Sequence, residues 1–179
     1  MNKEGIVLPV SFYNRSTIVV ARDLVGKSLL NQKNGRIIQS LITEVEAYDG
    51  PNDLASHAAN GRRTARNEIM YSSGGNWYVY LVYGLHYLLN ISCGPSGYPA
   101  AVLIRSVVDA SGPGRLTKYF GIDRSYNNQS VNKSSLVIVD QGFSISKKDI
   151  IVSPRIGVDY AGEIWQQKPF RFYWRNMIK

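Results

Sequence analysis

The chain has 179 residues, and its 44% hydrophobic and 19% charged content is typical of a folded globular protein rather than a disordered one. Its 21 lysines and arginines against 13 acidic residues give a net charge of +8, which favours a polyanion such as nucleic acid as partner without establishing one. One cysteine and two histidines exclude an internal disulfide framework and argue against a zinc site, and no motif implies another metal or a redox cofactor.

The length and the apolar pattern indicate one soluble domain over residues 1–179. No apolar run is long enough to span a membrane, and the Met1 end resembles neither a signal peptide nor a transit peptide. We therefore expect an intracellular protein with no membrane association, and we expect it to act as a monomer.

Turn signals and alternating apolar residues predict a mixed α/β fold in which strands dominate. In chain order, the predicted elements are a helix over 17–25, strands over 27–30 and 36–48, a short helix over 64–70, a hairpin over 77–92, a strand over 100–108, a helix over 114–120 and short strands over 136–139, 150–152 and 170–174. Ser16 and Thr64 are the predicted N-caps of the first two helices, and Asn34-Gly35 and Tyr83-Gly84 are the predicted hairpin turns.

Three polar side chains share one face of the strand over 36–48, just before a Gly-Pro turn. Because side chains alternate along a strand, Glu44, Glu46 and Tyr48 point to the same side. Two carboxylates in this position are either a solvated face, which is the commoner meaning of Glu-x-Glu, or the site of a general base in glycosidic chemistry. The spacing alone leaves both interpretations open.

The loop that follows combines a histidine with a cluster of basic residues. His57 stands nine residues after Tyr48, where it can form the opposite wall of a slot that begins at Tyr48. Arg62 and Arg66, with the backbone N–H groups at Thr64, suit phosphate groups. The alternative interpretation is an ordinary charged surface loop with a solvated histidine.

The second predicted hairpin places large apolar residues at its turn, where tips normally face water. Tyr83 and Leu85 flank Gly84, and one face of the hairpin carries Tyr78 and Tyr80. An exposed apolar tip suggests a wedge that enters the minor groove of DNA, as in proteins that unstack bases. A tip packed against a neighbouring loop is the equally weighted alternative.

Asn90 and Arg105 are polar residues inside apolar strands. Each either satisfies a buried hydrogen bond or ion pair, or points into a pocket. In a pocket, the amide would contact a base edge and the guanidinium would orient a carboxylate such as Glu46. Cys93 has no base partner in the pattern and is interpreted as structural.

A series of short segments, taken in order, carries a resemblance to a known family. The segments are Ala21-Arg22-Asp23-Leu24-Val25-Gly26, Glu44-Val45-Glu46-Ala47-Tyr48, Asp53-Leu54-Ala55-Ser56-His57, Thr64-Ala65-Arg66-Asn67, the run from Tyr78 to Tyr87, Asn90-Ile91-Ser92, Ala101-Val102-Leu103-Ile104-Arg105, Gly112-Pro113-Gly114-Arg115-Leu116-Thr117, Pro154-Arg155-Ile156-Gly157 and Lys168-Pro169-Phe170-Arg171-Phe172. Together they resemble the alkyladenine (3-methyladenine) DNA glycosylases of the animal and bacterial type. The resemblance covers nearly the whole chain with similar gaps, which makes it far more specific than any single motif.

The resemblance implies a DNA repair enzyme with a single mixed α/β (α+β) domain, a curved antiparallel sheet, short helices and a hairpin that enters the minor groove. Glu46 matches the general base that activates the water attacking the deoxyribose C1′, and Arg105 matches a residue that helps to hold this water. Tyr48 and His57 match the two walls that sandwich the flipped base, and Tyr80 matches the aromatic residue that closes its edge.

The resemblance also implies how the duplex is opened and which base is rejected. Tyr83 matches the wedge that fills the gap left by the flipped base, and Asn90 matches a residue that clashes with the guanine 2-amino group. Arg62, Thr64 and Arg66 are the expected contacts to the DNA backbone.

The implied activity is release of alkylated or deaminated purines from double-stranded DNA without a cofactor. No lysine matches a Schiff-base role, so hydrolysis without strand cleavage is expected. Glu44 matches no catalytic residue of the family. Two alternatives belong to other classes of protein. A non-catalytic nucleic-acid-binding domain is disfavoured by the presence of Glu46, and a formyltransferase-like domain would not need Tyr48, His57 and Tyr80 together.

Overall fold

Nine antiparallel strands form one open sheet within the described part of the chain, which comprises residues 5–33 and 35–177 of a computed structural model. The strands are β1 (Ile6–Val7), β2 (Ser28–Lys33), β3 (Arg36–Asp49), β4 (Trp77–Val82), β5 (His86–Ser92), β6 (Ala100–Val107), β7 (Leu136–Asp140), β8 (Ile150–Ser153) and β9 (Arg171–Trp174). Their order is β1-β7-β2-β3-β6-β5-β4, and β8 joins the sheet through β9. The long strand β3 is central, because it pairs with β2 along its first half and with β6 and β9 along its second half.

Four short α-helices occur within the same described residues. They are α1 (Val10–Tyr13), α2 (Thr17–Leu24), α3 (Pro113–Phe120) and α4 (Glu163–Gln166). The helices α2 and α3 confirm two predicted helices to within one residue at each end, and they pack on β3 and β5. The elements α1, α4 and β1 were not predicted, because two to four residues show too little periodicity. Across the described residues, no helix is long and apolar enough to cross a membrane.

The predicted helix over 64–70 is wrong. The structure instead has turns and a single 3-10 turn over Glu68–Tyr71. The backbone N–H and the hydroxyl of Thr64 both donate to Asn67 Oδ1, at 2.7 and 3.1 Å. Asn67 in turn donates to the backbone carbonyl of His57 at 2.9 Å. Because these local bonds satisfy the polar groups without a helix, the loop keeps an irregular conformation that holds His57 in place.

The predicted hairpin over 77–92 is confirmed as the antiparallel pair of β4 and β5. Its turn puts Tyr83 and Gly84 at φ values of 52° and 69°, in the left-handed region. These values are typical of a tight hairpin turn, but they are unfavourable for a tyrosine. Of the other predicted turn, Gly35 also has a positive φ of 73°, whereas Asn34 lies outside the described residues.

The two faces of the central strands have opposite character. On one face, alternate residues such as Val45, Ala47 and Ile104 pack with α2 and α3 in the main hydrophobic core. Because side chains alternate along a strand, Glu46 and Tyr48 point away from this core. The opposite face therefore carries the polar and aromatic residues of the site.

A pair of β-bulges interrupts the pairing of β3 with β6 on this polar face. The register shifts on either side of Glu44, which leaves Thr43 on β3 and Arg105 on β6 between paired positions. Bulges commonly re-aim a side chain next to a functional site. Here the bulge lets Arg105 lie beside two carboxylates of β3.

Candidate active site

The fully buried carboxylate of Glu46 lies in the middle of the polar face of β3. Its Oε1 accepts the backbone N–H of Ile156 at 2.8 Å, and its Oε2 accepts the hydroxyl of Tyr48 at 2.9 Å. Nη1 of Arg105 lies 3.3 Å from the same Oε2. Burial raises the pKa of Glu46 above the ordinary carboxyl value, although these three partners offset part of the increase. An oriented carboxylate with a raised pKa suits abstraction of a proton from water.

Glu44 lies two residues earlier on the same strand and accepts three hydrogen bonds. Its Oε1 accepts Nε of Arg105 at 3.0 Å and Nε of Arg171 at 2.6 Å, and its Oε2 accepts the hydroxyl of Ser106 at 2.6 Å. Burial opposes ionisation, but the Ser106 bond and the two guanidinium groups outweigh it and hold the pKa of Glu44 below its ordinary value. Glu44 therefore stays ionised and fixes Arg105 beside Glu46. Since both carboxylates are buried, the interpretation of Glu-x-Glu as a solvated face is wrong.

An aromatic cleft opens beside these carboxylates. It is narrow, with a cavity volume of about 50 Å³. Four residues of the predicted base pocket line it, namely Tyr48, His57, Tyr80 and Asn90. The fifth, Arg105, does not line the cleft; it contacts Glu46, whose Oε2 accepts the hydroxyl of the cleft residue Tyr48. The structure thus brings together residues that are distant in the sequence, while their roles stay predictions.

The rings of the cleft meet at an angle to one another. The ring centroids of His57 and Tyr80 are 4.7 Å apart with planes at 68°, and Tyr78 lies 5.0 Å from Tyr80. Nδ1 of His57 lies 2.8 Å from the hydroxyl of Tyr78. Burial, followed by the positive charges of Arg66 and Arg62, lowers the pKa of His57 to about 4. Burial also raises the pKa of Tyr80 to about 12. At neutral pH these rings are therefore uncharged.

A buried ion pair fixes the loop that carries His57. The guanidinium of Arg155 donates to both carboxylate oxygens of Asp53, at 2.5 and 2.8 Å, and both side chains are fully buried. The same guanidinium donates to the backbone carbonyl of Ala47 at 2.9 Å, and its carbon lies 4.8 Å from the ring centroid of Tyr48. The pair therefore joins the loop to β3 and supports the Tyr48 wall from behind.

Sequence reasoning assigned no role to Asp53, Arg155, Ile156 or Tyr160. Asp53 and Arg155 are 102 positions apart, so no local pattern relates them. One feature of the sequence could have pointed to Asp53, Arg155 and Ile156, because all three belong to segments that carry the family resemblance. Tyr160 carried no signal of any kind, although it lines the cleft.

The three residues predicted to contact the DNA backbone lie along a groove next to the cleft. Arg62, Thr64 and Arg66 line this groove together with Tyr160. Arg62 and Arg66 are exposed, and the guanidinium carbon of Arg66 lies 5.1 Å from the ring centroid of Tyr80. The groove therefore presents two positive charges at the edge of the aromatic cleft.

The hairpin tip is open to solvent. Tyr83 is 92% exposed and Leu85 is 75% exposed. The alternative of a turn packed against a neighbouring loop is therefore wrong, and the role of Tyr83 as a wedge stays a prediction. Within the described residues, no group of three or more histidine, cysteine, aspartate or glutamate side chains could hold a metal ion.

Comparison with known proteins identifies the family. The model of the methylpurine-DNA glycosylases matches residues 11–111 and 108–177. A relative from Bdellovibrio bacteriovorus is 40% identical over an alignment of 188 residues, which covers 97% of this chain and 97% of the relative. A relative from Methanocella arvoryzae is 43% identical over 190 residues, which covers 95% of this chain and 93% of the relative. Both relatives carry the provisional name 3-methyladenine DNA glycosylase. These matches confirm the resemblance, and the chain belongs to the methylpurine-DNA glycosylase family.

Proposed function

We propose that this protein is a monofunctional DNA glycosylase of base excision repair, which flips damaged purines out of duplex DNA and hydrolyses their N-glycosidic bond. Family membership supports the general activity, which is hydrolysis of an N-glycosidic bond in DNA that contains alkylated bases. The proposed substrates are 3-methyladenine, 7-methylguanine, hypoxanthine and ethenoadenine, and the product is an abasic site. The enzyme acts inside the cell as a monomer on double-stranded DNA and uses no cofactor.

The observation that carries the proposal is the buried, oriented carboxylate of Glu46 beside an aromatic cleft. An enzyme that acts on a base inside a duplex must extrude the base into such a pocket. Glu46 then takes a proton from a water molecule whose oxygen forms the new bond to C1′. The C1′–N bond breaks, and its electron pair leaves with the base. The proposed role of Arg105 is to hold this water, and its Nη1 atom at 3.3 Å from Glu46 Oε2 supports that role.

The uncharged rings favour bases that carry a positive charge. Alkylation at N3 or N7 makes a purine cationic, which makes it both a better leaving group and a guest for aromatic faces. Such cation–π contacts contribute about 0.5–2 kcal/mol each. His57 does not repel a cationic base, because its pKa of about 4 keeps the ring neutral. Hypoxanthine is neutral and lacks this attraction, so we expect it to be released more slowly.

Further residues are proposed to control entry and binding. Asn90 is buried at the cleft, and its amide donates to a backbone carbonyl of β4 at 3.1 Å. An amide fixed in this way clashes with a guanine 2-amino group, so we expect 7-methylguanine to be released more slowly than 3-methyladenine. Tyr83 fills the gap that the extruded base leaves in the stack. Arg62, Thr64 and Arg66 hold the flanking phosphates and fix the register of the protein on the duplex.

The test measures base release from end-labelled duplexes that each carry one lesion. We expect alkali-labile sites in the duplex that contains 3-methyladenine, and no strand break before alkali because no lysine of the described residues lines the cleft. Undamaged duplex of the same sequence is the control. Strand breaks without alkali would contradict the monofunctional mechanism. Absence of abasic sites from all four lesions would overturn the proposed function.

A further inference from the structure

We propose that Tyr160 is a further substrate-contacting residue, which packs its ring against the deoxyribose of the extruded nucleotide at the mouth of the aromatic cleft. This inference rests on the proposed function and adds a recognition element to the same site. The motifs in the sequence gave Tyr160 no role, and neither the hydrolytic step nor the wedge uses it.

Tyr160 lies between two cavities. Tyr160 and His57 line both the aromatic cleft and the adjoining groove that contains Arg62 and Arg66. In the proposed complex, the base occupies the cleft and the phosphates follow the groove. Only the deoxyribose connects the base with the phosphates, so a residue that lines both cavities lies where the sugar must be. Of these two residues, His57 is the proposed wall for the base, so Tyr160 is the one that remains to contact the sugar.

The Tyr160 ring is exposed and yet anchored. Its exposed fraction is 72%, and its hydroxyl donates to the backbone carbonyl of Ala55 at 3.0 Å. The next residue, Ala161, is buried with Ala55 and Val158 in a small apolar cluster. A large ring that stands in solvent but is held from both sides is prepared for contact, because little conformational freedom is lost on binding.

The chemistry of the ring suits a sugar better than a phosphate. Burial of the hydroxyl raises the pKa of Tyr160, and Asp53, Glu46 and Tyr83 raise it further while Arg155 opposes them. The ring therefore presents an uncharged face, which suits the C–H groups of a deoxyribose. It has no positive charge with which to attract a phosphate. We infer that the ring slows the return of the nucleotide to the duplex.

The test compares Tyr160→Ala and Tyr160→Phe with a control at a similarly exposed position. Ile164 on α4 is 74% exposed and lines neither cavity, so Ile164→Ala is the matched control. We expect Tyr160→Ala to lower the single-turnover rate of 3-methyladenine release about tenfold, which corresponds to about 1.4 kcal/mol. Tyr160→Phe keeps the ring face, so its rate should stay within about threefold of the wild type. Ile164→Ala should not change the rate.

A binding measurement makes the inference independent of the chemical step. The probe is a duplex with a tetrahydrofuran abasic-site analogue, and its affinity is compared with that of undamaged duplex. We expect Tyr160→Ala to lose about tenfold of this preference while its affinity for undamaged duplex stays the same. Melting temperatures of all variants are measured in parallel, and unchanged values exclude a purely structural effect.

The outcomes separate this inference from the proposed function. If the wild type releases 3-methyladenine and Tyr160→Ala matches it in both the release rate and the preference for abasic-site DNA, only the role of Tyr160 is overturned. Equal losses in Tyr160→Phe and Tyr160→Ala would assign the effect to the hydroxyl anchor at Ala55 and also overturn the sugar contact. A wild type without base release overturns the proposed function, and the binding preference then still decides the contact.

Discussion

Replacement of Arg155 by methionine removes one partner of a fully buried ion pair and leaves the charge of Asp53 without compensation. The lost guanidinium bonds go to both Asp53 oxygens and to the carbonyl of Ala47. Breaking such a pair by removing one partner costs about 3–5 kcal/mol. In a chain of this size each kcal/mol lowers the melting temperature by about 2–4 °C, so we expect a decrease of about 6–20 °C.

The assay is thermal unfolding followed by circular dichroism, with two comparison variants. Asp53→Asn in the Arg155→Met background should recover part of the loss, because the uncompensated charge is gone while an amide oxygen still accepts the N–H of Ala55. Arg63→Met breaks an exposed ion pair with Glu68 and should change the melting temperature little. An effect of Arg155→Met no larger than that of Arg63→Met would show that the buried pair contributes no more to stability than an exposed one.

Three further predictions concern catalysis and DNA binding. The rate of base release should rise with pH through the raised pKa of Glu46, because only the ionised carboxylate accepts a proton. Glu44→Gln should move this rise to lower pH, because it removes a neighbouring negative charge. A move to higher pH would contradict the prediction. Tyr83→Asn should raise the melting temperature, because asparagine tolerates the left-handed φ at this position better than tyrosine does. It should slow excision from paired duplex more than from single-stranded DNA. Equal slowing on both substrates would argue against the wedge. Arg62→Ala should weaken binding to all sequences and reduce the slope of log affinity against log salt by about 1, whereas an unchanged slope would remove Arg62 from the phosphate contacts.

The parts of the fold that follow from local patterns were predictable from the sequence. The hairpin of β4 and β5 was predictable because alternating apolar residues flank Tyr83-Gly84, and α3 was predictable because Gly121 ends it in a left-handed conformation. The helix predicted from Thr64 failed because Asn67 offered the backbone another set of hydrogen bonds. Side chains that compete locally for backbone groups are not visible in hydrophobic periodicity.

The sequence could indicate which residues gather around the cleft, but not the contacts that support them. Alternation on β3 placed Glu46 and Tyr48 on one face, and the family resemblance added the partners from other strands and loops. The N–H of Ile156 that orients Glu46, and Arg171 that neutralises Glu44, lie 110 and 127 positions from their partners. Only tertiary folding brings such groups together, so neither contact could be inferred from spacing.

The most direct test of the account is a comparison of wild type and Glu46→Gln on one duplex that contains 3-methyladenine. The amide keeps the size of the carboxylate and its ability to accept the N–H of Ile156, but it cannot take a proton from water at neutral pH. We expect the variant to bind the damaged duplex with wild-type affinity and to release base at least about a hundredfold more slowly. Base release by the variant at the wild-type rate would contradict the assignment of Glu46 as the general base.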